Sequence, residues 1–153
     1  MTMLCGSMLA GMMLAGCSAP TPGNLGVHGG RLTPCPSSPN CVCSQDRDKQ
    51  HAIAPFTYTG TRQAAMARLA KAIAGMYGAK IVEQTADYLH AEYTTRWMRF
   101  VDDVEFYAPA DASAGTKLIQ VRSASRVGYS DFGVNRKRVE AIRRRFEAAA
   151  RGG

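Results

Sequence analysis

Alternating apolar and polar residues fill three stretches in the second half of the chain, at 88–97, 100–107 and 117–127. Because the side chains of a β-strand point to opposite faces in turn, a period of two predicts strands with one apolar and one polar face. Two further strands are predicted at 79–84 and, next to an edge-favouring Pro55, at 51–58. The apolar face is predicted to contain Leu89, Ala91, Tyr93, Thr95, Trp97, Phe100, Val104, Phe106, Ile119, Val121, Ser123, Ser125 and Val127. One polar face indicates an antiparallel sheet that is covered on one side only.

Two segments have apolar residues at helical spacing instead. The first is 61–77, closed by Gly78 as a C-cap, and the second begins near Asn135, which is predicted as its N-cap. Helix, strands and helix together predict an α+β fold: a two-layer sandwich in which two helices pack on one face of a mainly antiparallel sheet of four to five strands. The predicted single globular domain covers 34–150.

The N-terminal residues have the pattern of an export signal. Residues 1–16 are apolar and uncharged, too short to span a bilayer, and end in the sequence Leu-Ala-Gly before Cys17, which looks like a bacterial lipobox. Cleavage before Cys17 would leave it with a diacylglyceryl group on its thiol and an acyl chain, such as palmitate, on its amine. By resemblance to enterobacterial lipoprotein sorting, Ser18 in place of an Asp favours the outer membrane over retention in the inner membrane. We therefore expect a signal peptide at 1–16, a lipidated Cys17 followed by a Pro/Gly-rich flexible tether to residue 33, and a lipoprotein on the periplasmic face of the outer membrane.

Three cysteines follow the tether within nine residues, at Cys35, Cys41 and Cys43. In an oxidising compartment they predict a disulfide between Cys35 and Cys41, which closes a small Pro-bracketed loop. Three alternatives remain open at this point. Cys43 could pair with Cys35 in place of Cys41. The three thiolates could form a metal site with His51, although no fourth ligand is well placed, or Cys43 could be a redox-active thiol. We expect no metal and no cofactor.

The polar face of the sheet collects charged residues of both signs: His90, Glu92, Arg96, Asp103, Glu105, Arg122 and Arg126. Three interpretations fit this set: a solvated face with cross-strand ion pairs, a polar groove for an anionic or sugar-like ligand, or an acid/base pair formed by Asp103 and Glu105. Asp102 is different, since alternation places it on the core side. A buried acid needs a partner, and Arg136 or Arg138 at the start of the last helix is expected to form an internal salt bridge with it.

Charge is concentrated in the last helix. The full chain has a formal net charge of +7, and residues 136–151 contain seven cations but only Glu140 and Glu147 as acids. Such a basic helix favours anionic partners, either a lipid surface or an acidic protein; nucleic acid is not expected, because an exported protein rarely meets it. Enzyme signatures such as GxSxG, HExxH or a phosphate-binding Gly-rich loop do not occur in the sequence.

Three segments, LTPCPSSPNCVCSQ, FVDDVEF and RSASRVGYSDFGVNRKRVEAIR, resemble the bacterial and plastid family of domains of unknown function numbered 1499, over residues 31 to 146. The resemblance implies an envelope or organelle domain, often lipid-anchored, with no established activity. Ser is usual where this chain has Cys43, which favours the disulfide over a three-thiol site. The candidate ligand-binding or family-motif residues are Asp102, Asp103, Glu105, Arg122, Ser123, Ser125, Arg126, Asp131, Asn135, Arg136 and Arg138.

Together these observations predict a lipid-anchored cell-envelope protein whose domain binds an anionic lipid, a glycan or an envelope protein and is not an enzyme. The alternative is an envelope hydrolase or transferase that uses the carboxylates of Asp103 and Glu105.

Overall fold

The computed structural model describes residues 19–110 and 117–152. Within these ranges ten elements follow one another. They are β1 (Val27–His28), β2 (Arg31–Leu32), β3 (Cys41–Cys43), β4 (Phe56–Thr57), α1 (Arg62–Ala74), β5 (Ala79–Gln84), β6 (Tyr88–Thr94), β7 (Val101–Tyr107), β8 (Leu118–Ser125) and α2 (Val134–Arg151). The signal peptide predicted at 1–16 and the lipidated Cys17 lie outside the described residues.

The central sheet is antiparallel and has six strands, in the order β3-β8-β7-β6-β5, with β4 also paired to β8. Strands β3 and β4 pair with different parts of β8, so they lie end to end along its outer edge. Helices α1 and α2 pack on one face, where Leu69, Val104 and Phe146 are among the fully buried side chains. The predicted α+β sandwich is confirmed.

Alternation predicted that the face opposite the helices would be open to solvent. In the structure this face is covered. The residues that precede β3 lie across it: β1 and β2 form a small antiparallel hairpin, the side chain of Leu32 is buried, and the backbone N–H of Gly26 donates to Glu105 on β7. A flexible tether was predicted for this segment. Since the described part of it makes specific contacts with the sheet, it forms a third layer.

Two aromatic residues assigned to the apolar face lie outside the core. Strand β6 ends at Thr94 instead of Trp97, because the next residues form a turn in which the N–H of Thr95 donates to the carbonyl of Phe100. Trp97 is 88% exposed and Phe100 is 43% exposed. Alternation of residue types therefore continued past the point where the strand stops.

The N-cap predicted for the last helix is also displaced. Gly133, with a φ of 76°, is the N-cap of α2, and the side chain of Asp131 accepts hydrogen bonds from the N–H groups of Gly133 and Asn135. Asn135 is thus inside the helix, where its side chain is buried. At α1, by contrast, Thr61 caps the helix by accepting from the N–H of Ala64.

Candidate functional site

Strand β7 contains three acidic residues that are all buried: Asp102 on the helix side, and Asp103 and Glu105 on the other face. A buried charge is costly unless it is paired and hydrogen-bonded. Each of the three carboxylates has its own Arg within ion-pair distance. Asp102 pairs with Arg138, Asp103 with Arg126, and Glu105 with Arg122.

Glu105 is fully buried and is held by three donors. Its Oε2 accepts from Arg122 at 3.2 Å, and its Oε1 accepts from the hydroxyl of Tyr88 at 2.8 Å and from the N–H of Gly26 at 2.7 Å. Arg122 is its direct cross-strand partner on β8. Burial, followed by the charge of Glu105, raises the pKa of Tyr88 far above its ordinary value, so Tyr88 remains a neutral donor. Every oxygen of Glu105 is therefore occupied by this chain itself.

Asp103 is the centre of a second cluster. Arg126 binds both of its oxygens at 2.8 Å, His90 lies 2.8 Å from Oδ1, and Arg126 also contacts Glu92 at 2.5 Å. Burial alone would raise the pKa of Asp103, but the hydrogen bonds from Arg126 and His90 outweigh it and hold the pKa below its ordinary value. The carboxylate is consequently ionised across the neutral range.

Asp102 forms the internal salt bridge that its position predicted, and its partner is Arg138. The same guanidinium donates to the side-chain oxygen of Asn135 at 2.7 Å and lies over the ring of Tyr93. Asn135 in turn donates to the carbonyl of Asn40 at 3.0 Å. This network joins the start of α2 to β3, β7 and β8, and it explains why a cluster of cations begins a helix against the macrodipole: one of them neutralises a buried acid.

The remaining motif candidates belong to the same network or support it. Ser123 donates to Asn135 at 2.5 Å, Ser125 accepts from it at 2.9 Å, and Asp131 provides the helix start described above. Arg136 does not bind Asp102; it donates to the carbonyls of Ala52 and Gln50. These side chains tie loops to the sheet.

A groove of about 520 Å³ lies between the N-terminal segment and the β5–β6 side of the polar face. Tyr88, His90 and Tyr107 line its sheet side, and Glu83 and Asp87 add two carboxylates at its rim. Its other wall is formed by Thr21, Pro22, Gly23, Leu25, Gly26 and Val27. Of the charged residues predicted for this face, His90 reaches this groove.

The predicted disulfide between Cys35 and Cys41 is present, and Cys43 is a buried free thiol whose pKa is raised by burial. Two of the three thiols are thus unavailable as metal ligands. His51, the proposed fourth ligand, is buried with its Nδ1 3.0 Å from the carbonyl of Cys41. Within residues 19–110 and 117–152, no three His, Cys, Asp or Glu side chains are grouped so as to hold a metal ion.

Several cations of the basic helix α2 form hydrogen bonds within the domain, so fewer of them are available for partners than the sequence predicts. Arg143 donates to the carbonyls of Ala54 and Pro55, and Arg145 donates to that of Gly75. Together with the contacts of Arg136 and Arg138, four of the seven cations bind acceptors within the domain. Lys137, Arg144 and Arg151 remain exposed.

Sequence reasoning missed the groove's N-terminal wall and the roles of Tyr88 and Asn40. The wall has no periodicity, because it contacts the sheet through backbone groups such as the N–H of Gly26. One signal was available for Tyr88: it stands at the first position of β6, on the same strand face as His90.

The geometry defines the class of this domain as a disulfide-closed α+β sandwich with a buried, internally paired charged face. The sequence model of one family covers most of this unit, matching residues 31–146. The chain belongs to that family, described as protein of unknown function (DUF1499). No curated protein and no solved structure matches the chain significantly. Neither α1 nor α2, the helices of the described ranges, combines the length and apolar character that crossing a membrane requires.

Proposed function

We propose that this protein is a lipoprotein of the cell envelope, anchored through Cys17 to the periplasmic face of the outer membrane, whose domain binds a glycan without modifying it chemically. The lipobox-like residues 14–17 support the anchor. The Cys35–Cys41 disulfide supports export, because such bonds form and persist in oxidising compartments.

The groove beside His90 is the observation that carries the binding function. Its size lies within the range of small-molecule sites, about 300–1,000 Å³. Tyrosine rings such as that of Tyr107 offer an apolar face and a polar hydroxyl, a combination that suits sugar rings. The carboxylates of Glu83 and Asp87 can accept hydrogen bonds from sugar hydroxyls, but they would repel an anionic headgroup. Among the three ligand classes predicted from the sequence, the groove therefore favours a glycan.

The contacts of Asp103 and Glu105 argue against the alternative of a hydrolase or transferase. A general acid must be protonated near neutral pH, which requires a raised pKa. The pKa of Asp103 is lowered, and Arg126 occupies both of its oxygens. Glu105 is bound by Arg122, Tyr88 and Gly26. Neither carboxylate is left free for a substrate.

Titration of the full-length protein with soluble peptidoglycan fragments, followed by NMR and calorimetry, tests this proposal. We expect binding that Tyr107→Ala and Glu83→Gln weaken at least fivefold, because each removes a groove group. The matched control is Glu147→Gln, an exposed acid on α2, which should leave the affinity unchanged.

Two results would reject glycan binding at this groove: no interaction with any fragment, or equal affinity in the wild type and both groove variants. The fragments recovered after incubation are also weighed by mass spectrometry. A change in their mass would favour the hydrolase or transferase over the binding protein.

A further inference from the structure

Exposed apolar side chains are concentrated at one end of the sheet. In the described part of the chain, nine large apolar residues are exposed, and eight of them lie in segments that meet at this end. They are Tyr77, Trp97, Met98, Phe100, Val127, Tyr129, Phe132 and Val134; the ninth, Val82, lies on β5. A patch of this kind on a domain surface indicates a contact with a membrane or a partner.

Backbone hydrogen bonds show that these segments are neighbours. The N–H of Arg126 donates to the carbonyl of Val101, which joins the end of β8 to the start of β7, and the N–H of Thr94 donates to the carbonyl of Gly78. The β6–β7 turn (95–100), the β8–α2 loop together with the first residue of α2 (127–134), and Tyr77 therefore share one end of the sheet. We call this set the aromatic end.

The backbone of the aromatic end is strained at two residues that belong to its exposed loops. Arg99, with a φ of 51°, and Phe132, with a φ of 53°, are the two non-glycine residues of the described ranges with positive φ. Such a conformation is unfavourable for a bulky residue and tends to occur at functional positions. Phe132 is nevertheless 89% exposed, so its strain is not offset by packing in the core.

Cations surround the apolar patch. Arg96, Arg99 and Lys137 are exposed in or beside it. The acid of the β8–α2 loop, Asp131, is engaged in hydrogen bonds to the backbone at the start of α2. Exposed aromatic residues bordered by Arg and Lys match the chemistry of an anionic bilayer interface, where Trp and Tyr are enriched and basic residues contact headgroups.

The described part of the N-terminal segment begins near the same end of the sheet. Arg126, whose own backbone helps define the aromatic end, donates from Nη1 to the carbonyl of Ala19 at 3.1 Å. Cys17 precedes Ala19 by two residues, which span at most about 7 Å. An acyl group on Cys17 would therefore enter the bilayer close to this end of the sheet.

We propose that the aromatic end is a membrane-docking surface that inserts into an anionic phospholipid leaflet and fixes the orientation of the domain; the choice of leaflet rests on the proposed anchor at Cys17, whereas the surface itself does not. Strand β6 has seven residues, so Tyr88 lies about 20 Å from Thr94 along the sheet. The groove near Tyr88 and Tyr107 would then face away from the bilayer.

Trp97 gives this proposal a direct test, because it is the single tryptophan of the chain. The full-length protein is purified, its intact mass is measured to establish whether Cys17 is acylated, and it is reconstituted into vesicles of phosphatidylglycerol and phosphatidylethanolamine with plain or brominated acyl chains. We expect a blue-shifted Trp97 emission in plain vesicles and a loss of at least half of this emission in brominated ones.

A matched pair of variants isolates the surface. Met98→Asp places a carboxylate beside Trp97 and should abolish the quenching, whereas Val82→Asp makes the same change at the exposed apolar residue outside the aromatic end and should preserve it. Both positions are exposed, so folding should be retained in both variants, which circular dichroism verifies.

The outcomes separate docking from anchoring. Acylated protein in vesicles with an unquenched Trp97 would overturn the docking surface while leaving the anchor intact. Quenching in a protein whose mass shows an unmodified Cys17 would support docking and reject the anchor. A shielded Trp97 that bromine does not quench would mean that a second protein copy covers this end, which would also overturn the proposal.

Discussion

Replacing Asp103 with Asn should strongly destabilise the protein, although the two side chains have nearly the same shape. Asn can still accept a hydrogen bond from Arg126, but it removes the negative charge between Arg126 and His90. Arg126 would then be left with Glu92 as its remaining carboxylate partner. The variant therefore measures the charge of Asp103 and not its packing.

The size of the effect follows from burial. Removing one member of a buried ion pair costs about 3–5 kcal/mol, because the other charge is left uncompensated. Since Glu92 continues to neutralise part of Arg126, we expect a loss at the lower end, about 3 kcal/mol. The control is Glu92→Gln, which removes the other acid from the same Arg. The Glu92 side chain is 22% exposed, against 2% for Asp103, so its loss should cost less than about 1 kcal/mol.

Urea denaturation followed by circular dichroism, at a series of pH values, provides the measurement. The folded-state pKa of Asp103 lies below its ordinary value, so its contribution is complete above pH ~4 and is lost as the pH falls through the lowered folded-state pKa. The wild-type and Asp103→Asn stabilities should therefore converge in acid. Equal losses in the two variants at neutral pH, or a difference that persists in strong acid, would refute this account of the buried face.

Two further predictions concern other parts of the polar framework. Asn135→Ala should lower the free energy of unfolding by about 2 kcal/mol, because it leaves buried partners without a hydrogen bond. In the same urea assay, the control Lys137→Ala, an exposed change two residues later, should alter the free energy of unfolding by no more than about 0.5 kcal/mol. In a spectrophotometric titration, Tyr88 and Tyr93 should ionise above the ordinary tyrosine range, since burial raises the pKa of Tyr93 to about 12 and that of Tyr88 further; ionisation of either residue near pH ~10 in the folded protein would contradict this.

The sequence predicted the long strands and the two helices because each has an apolar face that must be buried. The short strand β3 was not predicted, and α1 ends at Ala74 with Gly75 as its C-cap instead of Gly78. Strand β5 has the predicted bounds, and β6, β7 and β8 differ only at their ends. The pairing of Asp102 was also predictable, since an acid on an apolar face needs a cation and the nearest ones begin α2. The choice between Arg136 and Arg138 required the structure, because it depends on which guanidinium the helix turns towards the sheet.

The covered polar face could not be predicted, because alternation distinguishes polar from apolar positions and says nothing about exposure. Charges on this face can be buried because Arg126 and Arg122 neutralise Asp103 and Glu105 locally, and His90 adds a hydrogen bond to Asp103. Because these charges are paired within the sheet, the N-terminal segment, which has no periodicity of its own, can lie over them. Its Gly and Pro residues suggested a tether, yet they also allow the backbone to approach the sheet closely enough for the N–H of Gly26 to reach Glu105.

The internal contacts of the charged residues have a consequence for mutagenesis. The buried or half-buried residues of the longest motif, among them Arg122, Ser123, Asn135 and Arg138, form contacts inside the domain, so substitutions of these residues should reduce stability whatever the domain binds. In the described part of the chain, residues that are free to meet other molecules include Glu83 and Tyr107 at the groove and the exposed side chains of the aromatic end, such as Trp97. A variant of these internally bonded residues that abolishes function would therefore report on folding, and only variants of the exposed groups can separate glycan binding from membrane docking.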